Sequence, residues 1–337
     1  MREYKATDFS DAKHLRALTL LELLLVLSIL AILTTIVTRT VSGVTDQSRY
    51  EATQRTLTHI RAAVLGDSND RQPDGQRIIT GFIADLGRPP QLSLVTNTEG
   101  TFIAPSEMWQ RPPSMLPYAL REATSSNVTA PDEVDPEVYV PCGWRGPYLE
   151  FPPGESFLRD GWGTPLANSL PLATNTARLL RPDGTAAGLG DTLGAVVSTG
   201  PAPLGSTGDS PYDGILRVDI PATQYTAELA GQVSVRDSAG NLVSPSSSPS
   251  YTLLVKVFAP DPEGSGRIAA VTFSQPFKAN PMSYVFNGTL THGPRVLRAY
   301  LVAGALGAPG AVTRRSAVTY LLLQAGMNLK DIIVDRP

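Results

Sequence analysis

The chain has 337 residues, a net charge of −3 and 42% hydrophobic residues, which is long enough for two domains that each bury a core. Lys and Arg number 28 against 31 Asp and Glu, and no basic stripe interleaves with aromatics, which argues against nucleic-acid binding. Gly and Pro, at 29 each, favour a loop-rich β structure over helical bundles, and the lone Cys142 reads as a small packed residue.

Residues 1–17, MREYKATDFSDAKHLRA, hold four basic and three acidic side chains, which is too acidic for the basic region of a secretory signal. Their removal would leave a charge near −4. Residues 18–37, LTLLELLLVLSILAILTTIV, follow as an apolar run with one charge, Glu22. About 20 residues rising about 1.5 Å each span the roughly 30 Å hydrocarbon core of a bilayer. A charge within such a segment costs about 2.5–3.5 kcal/mol on insertion scales, so it calls for a partner. The run also exceeds the roughly 7–15 residues of a secretory h-region, and no clear A-x-A site follows it. An ordinary signal anchor that happens to carry a Glu is the bland alternative.

The stretch Arg16-Ala17-Leu18-Thr19-Leu20-Leu21-Glu22-Leu23 resembles the processing and methylation site of type IV prepilins and type II secretion pseudopilins. Those proteins usually have Gly before the cut and Phe after it, where this chain has Ala17 and Leu18. The resemblance implies cleavage between Ala17 and Leu18 by a prepilin peptidase. It also gives Glu22 a role in assembly, pairing with the terminal amine of a neighbouring subunit.

Helical character continues beyond the membrane run. Val41, Val44, Ala52, Leu57, Ile60 and Val64 recur at roughly helical spacing, and Gly66 before Asp67-Ser68-Asn69-Asp70 reads as the stop. One helix from about 19 to 65 is expected, with a break near Ser42-Gly43 left open. Residues 67–135 look irregular and Pro-punctuated, and 121–136 read as a polar surface loop. Two blocks then follow, Gly143-Trp144-Arg145-Gly146-Pro147-Tyr148-Leu149 and Asp160-Gly161-Trp162-Gly163-Thr164-Pro165-Leu166. This pair resembles the region that precedes the small sheet of major pseudopilins. Physically, the tryptophans offer apolar area to a small core, and Gly163-Thr164-Pro165 turns the chain.

Ala195-Val196-Val197-Ser198-Thr199-Gly200-Pro201 reads as a strand and turn, followed by a loop over residues 204–214. In major pseudopilins the corresponding region binds calcium, so Asp209 and Asp213, with Asp219, are candidate Ca2+ ligands. Calcium takes about six to eight oxygens, however, and aspartates as turn formers are the competing reading. Beyond residue 222, seven short strands are expected: Leu229–Arg236, Tyr251–Ala259, Arg267–Phe277, Ser283–Leu290, Val296–Val302, Val318–Leu323 and Leu329–Val334. Leu253, Val255 and Val257 share one face, as in a half-buried strand.

Together these readings predict an α+β chain. A long N-terminal transmembrane and amphipathic helix would pack on a small pilin-like antiparallel head, followed by an immunoglobulin-like β-sandwich. The expected divisions are a leader at 1–17, a helix at 18–66, a head at 67–221 and a sandwich at 222–337. The resemblance implies a structural subunit in the bacterial inner membrane, its head periplasmic or carried in an exported fibre, with other pilin or pseudopilin subunits and the membrane as partners. The length of the chain favours a minor or specialised subunit, because a large head is harder to pack at every helical position. A membrane-anchored binding protein whose C-terminal domain recognises a ligand is the alternative. No HExxH, GxSxG, Walker or paired-Cys motif is present, and His14, His59 and His292 are scattered, so an enzyme is not expected.

Overall fold

A computed structural model describes residues 20–67, 71, 79–151, 154–172, 177–200, 214–245, 250–304 and 311–336. They fall into two packing units, one ending at Arg49 and the other running from Tyr50 to the C-terminus. The fold is mixed: an apolar N-terminal helix and a β-rich remainder.

Helix α1 runs over Leu20–Leu65 without a break at Ser42-Gly43. In the first unit, residues 20–37 are exposed throughout, and the window Leu20–Val37 has a mean hydropathy of 2.7. That window is long and apolar enough to cross a membrane, a property a signal sequence would share. In the second unit, Thr53, Leu57, Ile60 and Val64 are buried at i, i+4, i+7 and i+11, the stripe of a helix packed on one side. Gly66 ends the helix at φ 82°, its N–H bonded to Ala62 O. A Cβ there would stand 2.2 Å from Thr80 O, so glycine suits both the left-handed turn and the close approach.

The stripe enters a core with the short helix α2 (Phe82–Leu86) and with Leu92, Ile103, Met108, Leu149, Leu166, Leu179 and Val196. Three small sheets are formed by the chain between residues 93 and 219. Strands β1 (Ser93–Asn97) and β2 (Gly100–Ala104) form a hairpin, and β3 (Ala119–Ala123) pairs with β4 (Asp135–Cys142). The two-residue β5 (Asn168–Ser169) joins β2, while β6 (Leu179–Leu180), β7 (Ala195–Ser198) and β8 (Leu216–Asp219) make the third sheet. The strand expected within 195–201 is β7.

The rest of the chain supplies β9 (Thr226–Val235), β10 (Tyr251–Pro260), β11 (Ile268–Pro276), β12 (Met282–Thr291), β13 (Gly293–Ala303), β14 (Val312–Ser316), β15 (Thr319–Leu323), β16 (Gly326–Leu329) and β17 (Ile332–Arg336). Each of the first six expected strands has its counterpart. The seventh is divided at Lys330-Asp331 into β16 and β17, and β14 was not foreseen. Their order is β11-β10-β13-β14-β17-β9-β12, with β15 beside β13 and β16 beside β9. Pairing is antiparallel except where β9 meets β16 and β17.

Leu253, Val255 and Val257 of β10 are fully buried, as their alternation predicts. They share a core with Leu229 and Val233 of β9, Tyr284 and Phe286 of β12, and Leu297 and Leu301 of β13. Strands from both ends of the sheet order therefore line one core. Phe258, Ile268 and Val296 belong to another core, which Val138, Val140 and Cys142 of β4 complete with Ala123 and Val128. Residues 121–136 are thus no free surface loop. They form part of a hairpin covering apolar surface of the later strands, and the charged residues that disguise it have distant partners.

Candidate functional site

Four of the candidate positions lie outside the described residues: the cleavage pair Ala17 and Leu18, and Asp209 and Asp213. Glu22 sits in the first turn of α1 and is exposed. The hydroxyls farther along the apolar run turn inward. Ser28 Oγ donates to Leu25 O, Thr34 Oγ1 to Leu30 O and Thr35 Oγ1 to Ala31 O, at 2.7–2.8 Å. Such back-bonding lets a polar side chain reside in hydrocarbon.

Asp219 closes β8, exposed, with its Oδ1 accepting from Arg217 Nε at 2.6 Å. Among the described residues no three His, Cys, Asp or Glu side chains gather as a metal site.

The two tryptophan blocks serve as braces. Trp144 Nε1 donates to Glu107 O at 2.6 Å, and its ring meets that of Tyr148 edge-on at 6.1 Å. Tyr148 packs at 5.3 Å on Phe82 and donates its hydroxyl to Asp85 Oδ2 at 3.0 Å. Arg145 lies 3.0 Å from the other Asp85 oxygen while stacking 4.0 Å over Tyr118. In the second block Asp160, not Trp162, does the holding. Its Oδ1 accepts from Trp162 N and Thr164 N, and its Oδ2 accepts from Ser198 Oγ of β7 at 2.8 Å. The next residue, Gly161, donates its N–H to Thr53 Oγ1 on α1 at 2.8 Å. The block therefore pins α1 and β7 to one turn.

The most perturbed acid is one that sequence reading passed over. Asp85, 1% exposed on α2, is pushed from 3.8 up to about 6 by burial, with Arg145, Tyr148 and Arg295 pulling it back. Arg295 is wholly enclosed and bonds Ala84 O, Thr291 Oγ1 and His292 O, and burial lowers it to about 10. Burial and the Asp85 charge both raise Tyr148. A carboxylate near 6 could exchange a proton, but Asp85 faces its own chain's guanidinium and phenol on every contact described. It braces α2 and does not open on a cleft. The cavity beneath Trp109, lined by Ile60, Phe157, Leu166 and Val196 among others, holds only about 20 Å³, room for one water between apolar walls. The signal that could have found Asp85 is a lone acid inside the apolar stretch Phe82-Ile83-Ala84-Asp85-Leu86.

No protein-family model and no curated protein matches the chain. Among solved structures, a crystal structure at 2.61 Å of a candidate carbohydrate-binding protein from Pseudomonas aeruginosa is similar over 34% of this chain and 90% of its own. The identity is 11% and the TM-score 0.20, and a likeness that loose carries no argument.

Proposed function

We propose that this chain is a membrane-anchored, pilin-like structural subunit of a type II secretion pseudopilus or type IV pilus. The observation that carries the reading is Glu22, a single carboxylate in the first turn of an 18-residue apolar window exposed along its whole length. An apolar helix presented on every side needs lipid or other apolar helices around it, and a carboxylate at its start suits pairing with a cation in that setting. The motif at 16–23 and the paired tryptophan blocks support the same reading.

On this reading a prepilin peptidase cuts between Ala17 and Leu18. The residue 20–37 segment sits in a bacterial inner membrane, and it later moves into a bundle of like helices. The pilin-like head is the part held by the Thr53–Gly161 and Tyr148–Asp85 bonds. The later strands are an added β-sandwich, a reading supported by one core lined from both ends of the strand order. Its kinship to immunoglobulin folds rests on strand spacing alone, and the parallel pairing of β9 with β16 and β17 belongs to this chain's own topology.

The test is the N-terminal mass of the protein from its native membrane, with fibre assembly of Glu22→Ala. We expect a chain beginning at Leu18, and a variant that inserts and is cut normally but stays out of fibres. An intact Met1, or normal assembly without the Glu22 carboxylate, would overturn the proposal.

A further inference from the structure

Strand β12 lies at one end of the sheet order and carries an interruption. Phe286 pairs with Leu229 and Leu290 with Ala227, so Asn287, Gly288 and Thr289 stand against the single residue Glu228. Asn287 and Gly288 are exposed, whereas Phe286 and Leu290 on either side are buried. Gly288 has φ +65°, and a Cβ built on it would meet nothing within 4 Å. The chain therefore leaves the ladder into open solvent, held at both ends by side chains in the core.

Of nine asparagines in the sequence, Asn287 alone precedes a glycine. Others are fixed by their amides. Asn168 Nδ2 donates to Leu179 O and Ala187 O while its Oδ1 accepts two backbone N–H groups, and Asn280 Nδ2 donates to Val235 O and Val243 O. A glycine on the C-terminal side leaves the following peptide nitrogen without a side chain to shield it, and gives the backbone the freedom to bring that nitrogen to the asparagine carbonyl.

We propose that Asn287 is a site of spontaneous deamidation, which converts the bulge of this edge strand from an amide to a carboxylate. The Gly288 nitrogen gives its proton to solvent base and bonds to Asn287 Cγ. The bond from Cγ to the side-chain nitrogen then breaks, and ammonia leaves with a proton taken from water. The resulting five-membered imide adds water at either of its two carbonyls and opens to an aspartyl or an isoaspartyl linkage. No oxidation state changes, and water is the sole co-reactant. The product takes the net charge of the chain from −3 to −4 and places the new carboxylate against the exposed Glu228. The isoaspartyl form also lengthens the main chain by one carbon where no ladder pairing exists to be broken. Bulges and charges on an edge strand both discourage pairing with another edge, so the reaction would leave this edge less prone to association as the protein ages.

The experiment is peptide mapping of the full chain in detergent, incubated across neutral to mildly alkaline pH. The segment 282–291 should gain the mass of an NH2-to-OH exchange faster than the segment bearing exposed Asn241, with a rate rising with pH. In Gly288→Ala that rate should fall about tenfold, the change produced by about 1.4 kcal/mol of added barrier. If that variant does not fold, Asn287→Gln keeps the glycine and the bulge and should abolish the mass gain. A native chain whose 282–291 segment reacts no faster than the Asn241 segment would overturn the proposal, as would a Gly288→Ala chain that reacts at the native rate.

Discussion

Replacing Asp85 with Asn should stabilise the protein at neutral and alkaline pH and leave it almost unchanged only below pH 3.8. Burial lifts this carboxyl from 3.8 to about 6, so between those values the folded chain holds the proton more tightly than the unfolded chain does. As far as this group is concerned, stability is greatest below pH 3.8, declines as pH rises, and reaches its floor above about 6. At about 1.36 kcal/mol for each tenfold change in proton concentration, the interval amounts to on the order of 3 kcal/mol. Asparagine mimics the protonated acid: it still accepts the Tyr148 hydroxyl and never ionises. It gives up the 3.0 Å contact with Arg145, whose side chain is 43% exposed and can be solvated instead. The assay is urea unfolding of wild type and Asp85→Asn side by side at pH 5 and pH 8, followed by tryptophan fluorescence. Other groups titrate in both proteins, so only the difference between them is read. A gain of roughly 1.6 kcal/mol for the variant at pH 5, rising to about 3 kcal/mol at pH 8, is expected from the two pKa values. A variant less stable than wild type at pH 8 would refute the reasoning, since attraction to Arg145 and Arg295 would then outweigh the cost of burying the charge.

Two further tests concern the joint between the β3–β4 hairpin and the later strands. Arg298, with no exposed surface, holds Asp135 through both carboxylate oxygens at 2.6 and 2.8 Å and Glu137 at 2.6 Å. Arg298→Ala would leave buried Asp135 without this cation, held by the Tyr300 hydroxyl and the Glu137 N–H, and should cost about 3–5 kcal/mol in urea unfolding. A loss under about 1 kcal/mol would mean that water reaches the site. Cys142 is buried on β4 with its Sγ 3.4 Å from Gly266 O, and burial pushes its thiol up to about 12. At pH 8 it should resist an alkylating reagent until urea unfolds the protein, with labelling tracking the unfolding curve. Prompt labelling of the native protein would contradict the packing described.

Periodicity made the helix and most of the β structure legible. The i, i+4, i+7, i+11 stripe on α1 and the alternation of Leu253, Val255 and Val257 are local patterns, each set by one element facing one core. Strand β14 escaped because its sequence, Val312-Thr313-Arg314-Arg315-Ser316, carries no apolar alternation; it belongs to the sheet through pairing with β13 and β17. The β3–β4 hairpin escaped for a related reason. Asp135 reads as a solvated charge, and only a fold that brings it to Arg298, more than 160 residues away, makes its burial tolerable. Glu22 stood out because an acid is conspicuous in a long apolar run, whereas Asp85 sits in a short turn of helix ended by Gly87, where one acid reads as bland.

The same long-range charges bear on how a binding role for the later strands can be tested. The part after residue 222 is joined to what precedes it by more than the chain. Gly293 of β13 lies so close to α2 that a Cβ would touch Ala84 at 3.1 Å, and Arg295 donates to Ala84 O. Gly264, in the turn after β10, sits against the Arg88 guanidinium that Glu107 holds at 2.8 Å, where a Cβ would come within 2.2 Å of Arg88 Nε. Ile268 exchanges backbone bonds with Asn127 and Thr129, and Leu116 N donates to Ser265 O. Deleting 222–337 would strip Val138, Val140 and Cys142 of their apolar cover, and leave Asp135 and Asp85 without Arg298 and Arg295. Apolar surface and unpaired buried charge would be exposed together, each costing several kcal/mol. Loss of secretion or adhesion in such a truncation would therefore report a damaged fold. Charge reversals at exposed positions of the later strands, such as Glu228 or Lys330, leave these seams intact and isolate recognition from folding.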